Sequence, residues 1–451
     1  EISCSLVGSE MCIRDRGGTS GSESGTTGSD GTTGSGGSDT KADDTLTTGG
    51  EKNDPKPGGI PTPAEGTEST ESNRSAPESQ FTYTSAYNDE GTPNESTTAL
   101  KTAADNFKAA ATNVIRIINK LVNNESTGKD NTLNVTLDNV NITAKNDAAL
   151  SVEGAGDTKI TLRGSNTLTN DLLHAGLEHN EKSEDGSYTG KLTITSEKDA
   201  DGNDTGSLTA TGSGASAGIG SVWNSGNYSD SGAGDIEITG GDITAIGASD
   251  GAGIGSGCKA TGNTNITISG SAKIKAQTEQ GGAGIGSGAN SFGTTTVNIT
   301  SGTVKAQGGD YGAGIGGGDN SRNTNITISG GTIEEAVGGS TGDGIGSGNN
   351  SSNITVTIQG GTIKKAQGGK GNFYAGHGIH SDSTLNISGK AFIQNAKGGD
   401  GGTEGGSGIR SDSTLDISDQ ASIQKATGGE SQSTGAVSYT HLRAHETAAN
   451  L

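Results

Sequence analysis

Aromatic side chains are almost missing from this chain: five Phe, seven Tyr and one Trp among 451 residues. Hydrophobic residues of all kinds reach 27%, too few for an ordinary globular core. That scarcity excludes a spherical domain with a wide interior. No long apolar run offers a membrane helix. Of the three cysteines, Cys4 and Cys12 lie at the extreme N-terminus and only Cys258 lies within the repeats, which leaves no disulfide framework and no cysteine metal site. Basic residues are also scarce, 30 against 52 acidic ones, and the formal net charge of −22 argues against nucleic acids and anionic membranes as partners.

What the chain has in excess is glycine, 81 residues, and much of it falls in one phrase. Gly-x-Gly-Ile occurs six times, preceded by one Ser-x-Gly-Ile variant, and the seven isoleucines are Ile219, Ile254, Ile285, Ile315, Ile345, Ile379 and Ile409. The steps between them are 35, 31, 30, 30, 34 and 30 residues. A fixed period of this length marks a solenoid, whose repeats bury apolar edges only against their neighbours. Such a core is one or two side chains wide, which reconciles the low apolar content with a folded protein.

Within each period the apolar residues alternate as in strands. One repeat has the Gly284–Gly286 segment, then Val297 and Ile299, then Val304 and Ala306; the next has Ile315, then Ile326 and Ile328, then Ile333 and Ala336. Gly330-Gly331 and Gly360-Gly361 suit corners that need positive φ. Thr267, Thr327 and Thr355 are expected to face solvent, and Asn265, Asn298, Asn325 and Asn353 to occupy one equivalent place near the second strand. Upstream, Leu133, Val135 and Leu137, Val140 and Ile142, Leu150 and Val152, Ile160 and Leu162, then Leu168, Leu192 and Ile194, Leu208 and Ala210 continue the strand pattern. His174–Tyr188 reads as a projecting polar loop. About ten rungs at about 4.8 Å each give a rod about 50 Å long.

The remaining segments are of other kinds. Glu10–Ile13 can be encoded by GAG ATG TGT ATA, whose reverse complement encodes Tyr-Thr-His-Leu, the residues Tyr439–Leu442. Leu6–Arg16 and Val437–Glu446 thus read as opposite strands of one DNA element and resemble translated sequencing adapters. The expected organisation is adapter-derived sequence over 1–16, a Gly/Ser/Thr/Pro linker over 17–80, a capping segment over 81–128, repeats over 129–436 and an adapter-derived tail over 437–451. In the capping segment Leu100, Ala104, Phe107, Ala111, Val114, Ile118 and Leu121 fall three or four apart, which predicts an amphipathic helix over 97–122, N-capped by Ser96. Its expected role is to cover the open end of the solenoid.

The phrases Thr132–Thr143, Ala149–Val152, Lys159–Leu162 and Ser165–Thr169 resemble bacterial β-helical carbohydrate-binding domains. Gly312–Gly318 and Ile328–Thr332 look like the repeat regions of large bacterial surface proteins. The resemblance covers about residues 131–429. It implies an all-β solenoid, a right-handed single-stranded parallel β-helix of pectin-lyase type, and in some relatives calcium-assisted binding of acidic polysaccharide. The function expected is a non-catalytic, monomeric, extracellular or cell-surface carbohydrate-binding or adhesin-type β-helix, with polysaccharide or a host glycan as partner. The alternatives are a purely structural stalk or passenger, and a pectate lyase or polygalacturonase.

Candidate residues follow from chemistry. Trp223, Tyr228, Tyr311, Phe373 and Tyr374 lie in connections where a ring can stack on a sugar. Asp199, Asp201, Asn203 and Asp204 around Gly202 have the oxygen-ligand spacing of a calcium loop without its bidentate Glu, and a solvated turn explains them equally. Calcium is the one cofactor suggested. Gly376-His377-Gly378 is similar to the Gly-His-Gly of β-helical polygalacturonases, but no clustered-aspartate phrase accompanies it. His377 stands where other repeats have Ala313 or Asp343, and His380 where others have Gly346 or Arg410, so both read as repeat variation rather than catalysis. Arg163, Arg322 and Arg410 appear isolated from carboxylates, and no catalytic residue is assigned.

Overall fold

A computed structural model describes residues 80–84, 114–120, 131–182, 186, 188–223, 231–431 and 438–443. The chain divides into units Glu1–Ser72 and Asn73–Leu451, and all described residues lie in the second. The adapter-like segment 1–16, nearly all of the linker and Tyr228 fall outside them, as do residues 97–113 of the expected helix.

The described chain is an all-β parallel solenoid. Each turn feeds three sheets, of 11, 10 and 13 strands, and in two late turns the third-sheet strand is split, into Thr362–Ile363 with Ala366–Gln367 and Phe392–Ile393 with Ala396–Lys397. One turn runs Ile285–Gly286 in the first sheet, Thr295–Ile299 in the second and Thr303–Gln307 in the third. The register is in phase from rung to rung. In the first sheet Ile115, Leu150, Leu177, Ile219, Ile254 and Ile285 stack as a single ladder that continues through Ile315, Ile345 and Ile379 to Ile409. In the third sheet an Ala ladder stands beside it, with Ala245, Ala276, Ala306 and Ala336 in register. Except for Ile409, these side chains are almost fully buried. Ladders of identical shape let each rung pack on the next without re-solving the fit, at about 1.5–3 kcal/mol for each fully buried aliphatic side chain.

The backbone follows from the glycines. In the residue after each ladder isoleucine, Gly220, Gly255, Gly286, Gly316 and Gly346 have φ between 135° and 143°. A Cβ on Gly286 would meet the Gly316 carbonyl oxygen at 2.0 Å. No side chain fits there, so these rungs require glycine. The residue two before each isoleucine is a buried alanine in Ala175, Ala217, Ala252, Ala283 and Ala313.

Several sequence expectations need correction. Val114–Ile118, within the predicted helix, is a strand, in parallel register with Leu150–Glu153. Its Val-Ile-Arg-Ile-Ile sequence satisfies both periods, but β-branched residues favour the pleat and Ile115 and Ile117 are buried in the ladder. The 174–188 loop contains a rung: Leu177–His179 is a buried strand of the first sheet. Ala175-Gly176-Leu177 is a Leu variant of the repeated phrase, so the ladder has ten members rather than seven. The four asparagines do not share one place. Asn265 and Asn325 align through Thr296, Asn298 pairs with Thr327, and Asn353 lies near the start of the strand Ser352–Ile358 with φ 60°, between the Arg322–Ser352 and Thr324–Ile354 pairs.

One irregularity changes the rungs from Thr332 onward. The third-sheet register shifts between Val304 and Lys305, so that Lys305 opposes Glu335 and Glu334 is the inserted residue. The inserted pair is then repeated: Lys364 reaches Glu334 at 2.7 Å and Lys365 reaches Glu335 at 2.7 Å. Finally, Ser438–Arg443 pairs antiparallel with Ser422–Thr427.

Candidate functional site

The polar site arises where two ladder positions stop being small. Two residues before Ile345, the buried alanine becomes Asp343, 3% exposed. After Ile379 the obligatory glycine becomes His380, and after Ile409 it becomes Arg410. The connection from first to second sheet also shortens. Residues 287–294 separate the two strands in the middle rung, whereas only Asp382 and Ser383 lie between Ile379–Ser381 and Thr384–Ile387. The same Ser-Asp-Ser corner recurs at Ser411-Asp412-Ser413, in register with the rung before.

These changes converge. Asp343 Oδ2 accepts the Ser347 N–H at 2.8 Å and lies 2.9 Å from His380 Nδ1, while Oδ1 accepts the His377 N–H at 2.7 Å. A carboxylate so buried is tolerable only with such partners. His380 Nε2 points the other way, 3.5 Å from Asp412 Oδ1 and 3.9 Å from Asp382 Oδ1, and makes no hydrogen bond although it is buried. Asp382 is itself held by Ser347 Oγ–H at 3.1 Å and by the Ile354 N–H at 2.9 Å. Arg410 Nε donates to Asp412 Oδ1 at 2.8 Å. The rings of His377 and His380 are 4.9 Å apart at 59°.

The two histidines are tuned in opposite directions. Burial pushes His377 below the usual histidine range, and the positive charges nearby add to this. Its Nδ1 accepts the Ser407 N–H at 2.8 Å, and Arg410 Nη1 lies 3.4 Å from its Nε2. For His380, burial acts downward but is outweighed by the hydrogen bond and charge of Asp343, so its pKa is raised. Burial likewise acts upward on Asp412, and the Arg410 hydrogen bond overrides it and holds the carboxyl below its ordinary value.

Among the described residues, two groups of three potential metal ligands have donor atoms within 4.8 Å of one another: Asp343, His377 and His380, and His380, Asp382 and Asp412. His380 belongs to both. From sequence alone its slot reads as repeat variation, and Arg163 and Arg410 as isolated from carboxylates; the structure sets His380 among Asp343, Asp382 and Asp412, and pairs Arg163 with Glu197 and Arg410 with Asp412. The signal available was the paired Ser-Asp-Ser corners combined with three successive departures from Ala and Gly.

The residues singled out from sequence lie elsewhere and apart. Phe373 and Tyr374 are 70% and 64% exposed, side by side on a connection that stacks rung on rung through Gly371–Gly401 and Tyr374–Glu404 bridges. Tyr311 is half-buried in an earlier third-to-first connection. Trp223 is half-buried in the other kind of connection, after Ser221, with its indole N–H buried. The Asp199–Asp204 segment is a hairpin tip closed by a Lys198–Asp204 bridge. Asp199 Oδ1 accepts the N–H groups of Asp201 and Asn203 at 3.0 and 2.8 Å, and Oδ2 takes the Asn203 amide at 3.1 Å. Asp204 turns to Lys198 Nζ at 2.8 Å and the Gly241 N–H at 3.0 Å. The two carboxylates therefore serve different partners instead of a common centre.

Comparison with known proteins agrees with this architecture. A family model described as a beta helix repeat matches residues 236–258, 266–289, 297–319, 326–349 and 356–383. The chain thus carries β-helix repeats. The last of those segments ends just past Asp382, so it includes His380. No curated protein and no solved structure matches the chain. Among the described residues no helix is long and apolar enough to cross a membrane.

Proposed function

We propose that this protein is a non-catalytic, extracellular β-helix that binds polysaccharide or acts as a surface adhesin, coiled right-handed in the pectin-lyase manner. The observation that carries this reading is the adjacent pair Phe373 and Tyr374, 70% and 64% exposed and fixed on a hydrogen-bonded connection. Large rings left in water on a rigid support favour stacking on a flat, partly apolar ligand face such as a sugar ring. The acidic surface, −22 in net charge, favours neutral glycans, or acidic ones joined through a bridging cation. Calcium therefore belongs in the test.

A glycan array probed with the full chain, with and without calcium, tests the proposal. Binding to a defined glycan class is expected, reduced at least about tenfold in the double variant Phe373→Ala/Tyr374→Ala. An array blank in both conditions overturns it. The rungs from Ile254 to Ile345 favour a second reading, that of a stalk, because their interior ladders are uniform and none of the three most exposed aromatic side chains, Phe373, Tyr374 and Tyr188, lies in them.

A further inference from the structure

The geometry points to a divalent transition-metal site, of the zinc class, formed by His380 Nε2, Asp382 and Asp412 at the shortened corners of two successive rungs. The inference is independent of polysaccharide binding. Three features carry it.

The first is the unpartnered nitrogen. His380 is 8% exposed, and its Nε2 has no hydrogen-bond partner while facing two carboxylates. A buried nitrogen of this kind is costly unless something occupies its lone pair or its proton. The second is the other side of the ring. Nδ1–H donates to Asp343 Oδ2 at 2.9 Å, and Asp343 is locked by the Ser347 and His377 N–H groups. A carboxylate bound to the far nitrogen is the support that metal-ligating histidines regularly have, since it fixes the tautomer with the lone pair on Nε2.

The third is spacing. Bonds of about 2.0–2.2 Å to nitrogen and oxygen in a tetrahedral site place donor atoms about 3.3–3.5 Å apart. His380 Nε2 lies 3.5 Å from Asp412 Oδ1 and 3.9 Å from Asp382 Oδ1, close to that edge length. Asp382 is pre-oriented by Ser347 and Ile354, and Asp412 is partly exposed. The charge also matches: Asp343, Asp382 and Asp412 against Arg410 leave two uncompensated negative charges when His380 is neutral. An imidazole ligand favours zinc, copper, iron or nickel over calcium, which takes oxygen ligands. Three protein ligands leave one coordination position open toward solvent.

The competing arrangement is a protonated His380 that simply pairs with the carboxylates. Titration of the EDTA-stripped full chain with Zn²⁺ and with Co²⁺, followed by calorimetry and by the visible bands of bound cobalt, separates the two. One equivalent is expected to bind, and His380→Gln and Asp412→Asn are each expected to weaken it at least about tenfold. No binding of either ion overturns the site. Equal affinity in wild type and His380→Gln also overturns it, because binding would then belong to other histidines such as His441 or His445. Thermal melting of each variant reports folding. Asp412→Asn alters a side chain that is 40% exposed, so full affinity in that variant overturns the site even where His380→Gln does not fold.

Discussion

The rungs before Thr332 and those after it use the same ladders for different ends. In the earlier set from Ile219 to Ile315, the position after each isoleucine is a glycine that backbone crowding makes obligatory, and the interior position two before it is alanine. In the later set the third sheet carries an extra residue per rung, the corner between first and second sheets is cut short, and the same two positions hold Asp343, His377, His380 and Arg410. The N-terminal rungs resemble the later set, with Arg116 bonded to Glu153 at 2.6 Å and Glu178 to His174 at 2.8 Å. Polar chemistry thus appears where the glycine ladder stops. A solenoid can host a site without loops long enough to fold by themselves, provided the backbone first relaxes out of its glycine-only conformation.

Substitution at equivalent positions breaks this contrast most sharply. Gly286→Ala sets a Cβ against the Gly316 carbonyl at a φ of 139°, and is expected to cost at least about 3 kcal/mol in urea denaturation followed by circular dichroism. His380→Gly, at the matching place, removes one hydrogen bond to Asp343 and is expected to cost about 1–2 kcal/mol. Similar costs at the two places would mean that the glycine ladder is not what constrains the middle rungs.

The ladder isoleucines give the next largest effect. Ile285 is fully buried, and Ile285→Ala is expected to cost about 2–5 kcal/mol. Ile409 is only partly buried, in the rung where Leu415 is 43% exposed. Ile409→Ala is expected to cost less than half as much in the same denaturation assay.

The smallest effect concerns a buried histidine of the opposite kind. His179 lies in the N-terminal rungs with both ring nitrogens near carbonyl oxygens, Ala233 at 2.6 Å and Gly190 at 2.9 Å. Burial nevertheless dominates these hydrogen bonds and lowers its pKa. The folded protein keeps the ring neutral where the unfolded chain takes up a proton, below about pH 6.5. The unfolded state then binds more protons, so stability is full above that pH and falls as the pH drops below it. Urea midpoints measured between pH 8 and 5 should show this fall, and His179→Gln should flatten it; an unchanged slope in the variant would assign the pH dependence to other groups.

The sequence carried the solenoid plainly because its isoleucines recur at one period and its apolar residues alternate between them. It misled where one segment satisfies two periods, as at Val114–Ile118, and where the phrase is relaxed, as at Leu177. The Asp343–His380 cluster was harder to see for a geometric reason. Comparing repeats column by column sets Asp343 against His377 and His380 against Arg410. Stacking instead places the position two before one isoleucine beside the position after the next, a diagonal relation that no single column displays. Phe373 and Tyr374 were visible because a connection rich in glycine offers nothing else of their size.

The in-register corners also carry a genetic consequence. Asp382 and Asp412 occupy the same point on successive turns, thirty positions apart in the chain. Unequal recombination between these related blocks would add or remove one such turn as a unit. Each event would lengthen or shorten a row of carboxylates while leaving the flanking turns to stack on surfaces they already fit. The number of carboxylates along this edge would then follow the number of such turns, and change in one step.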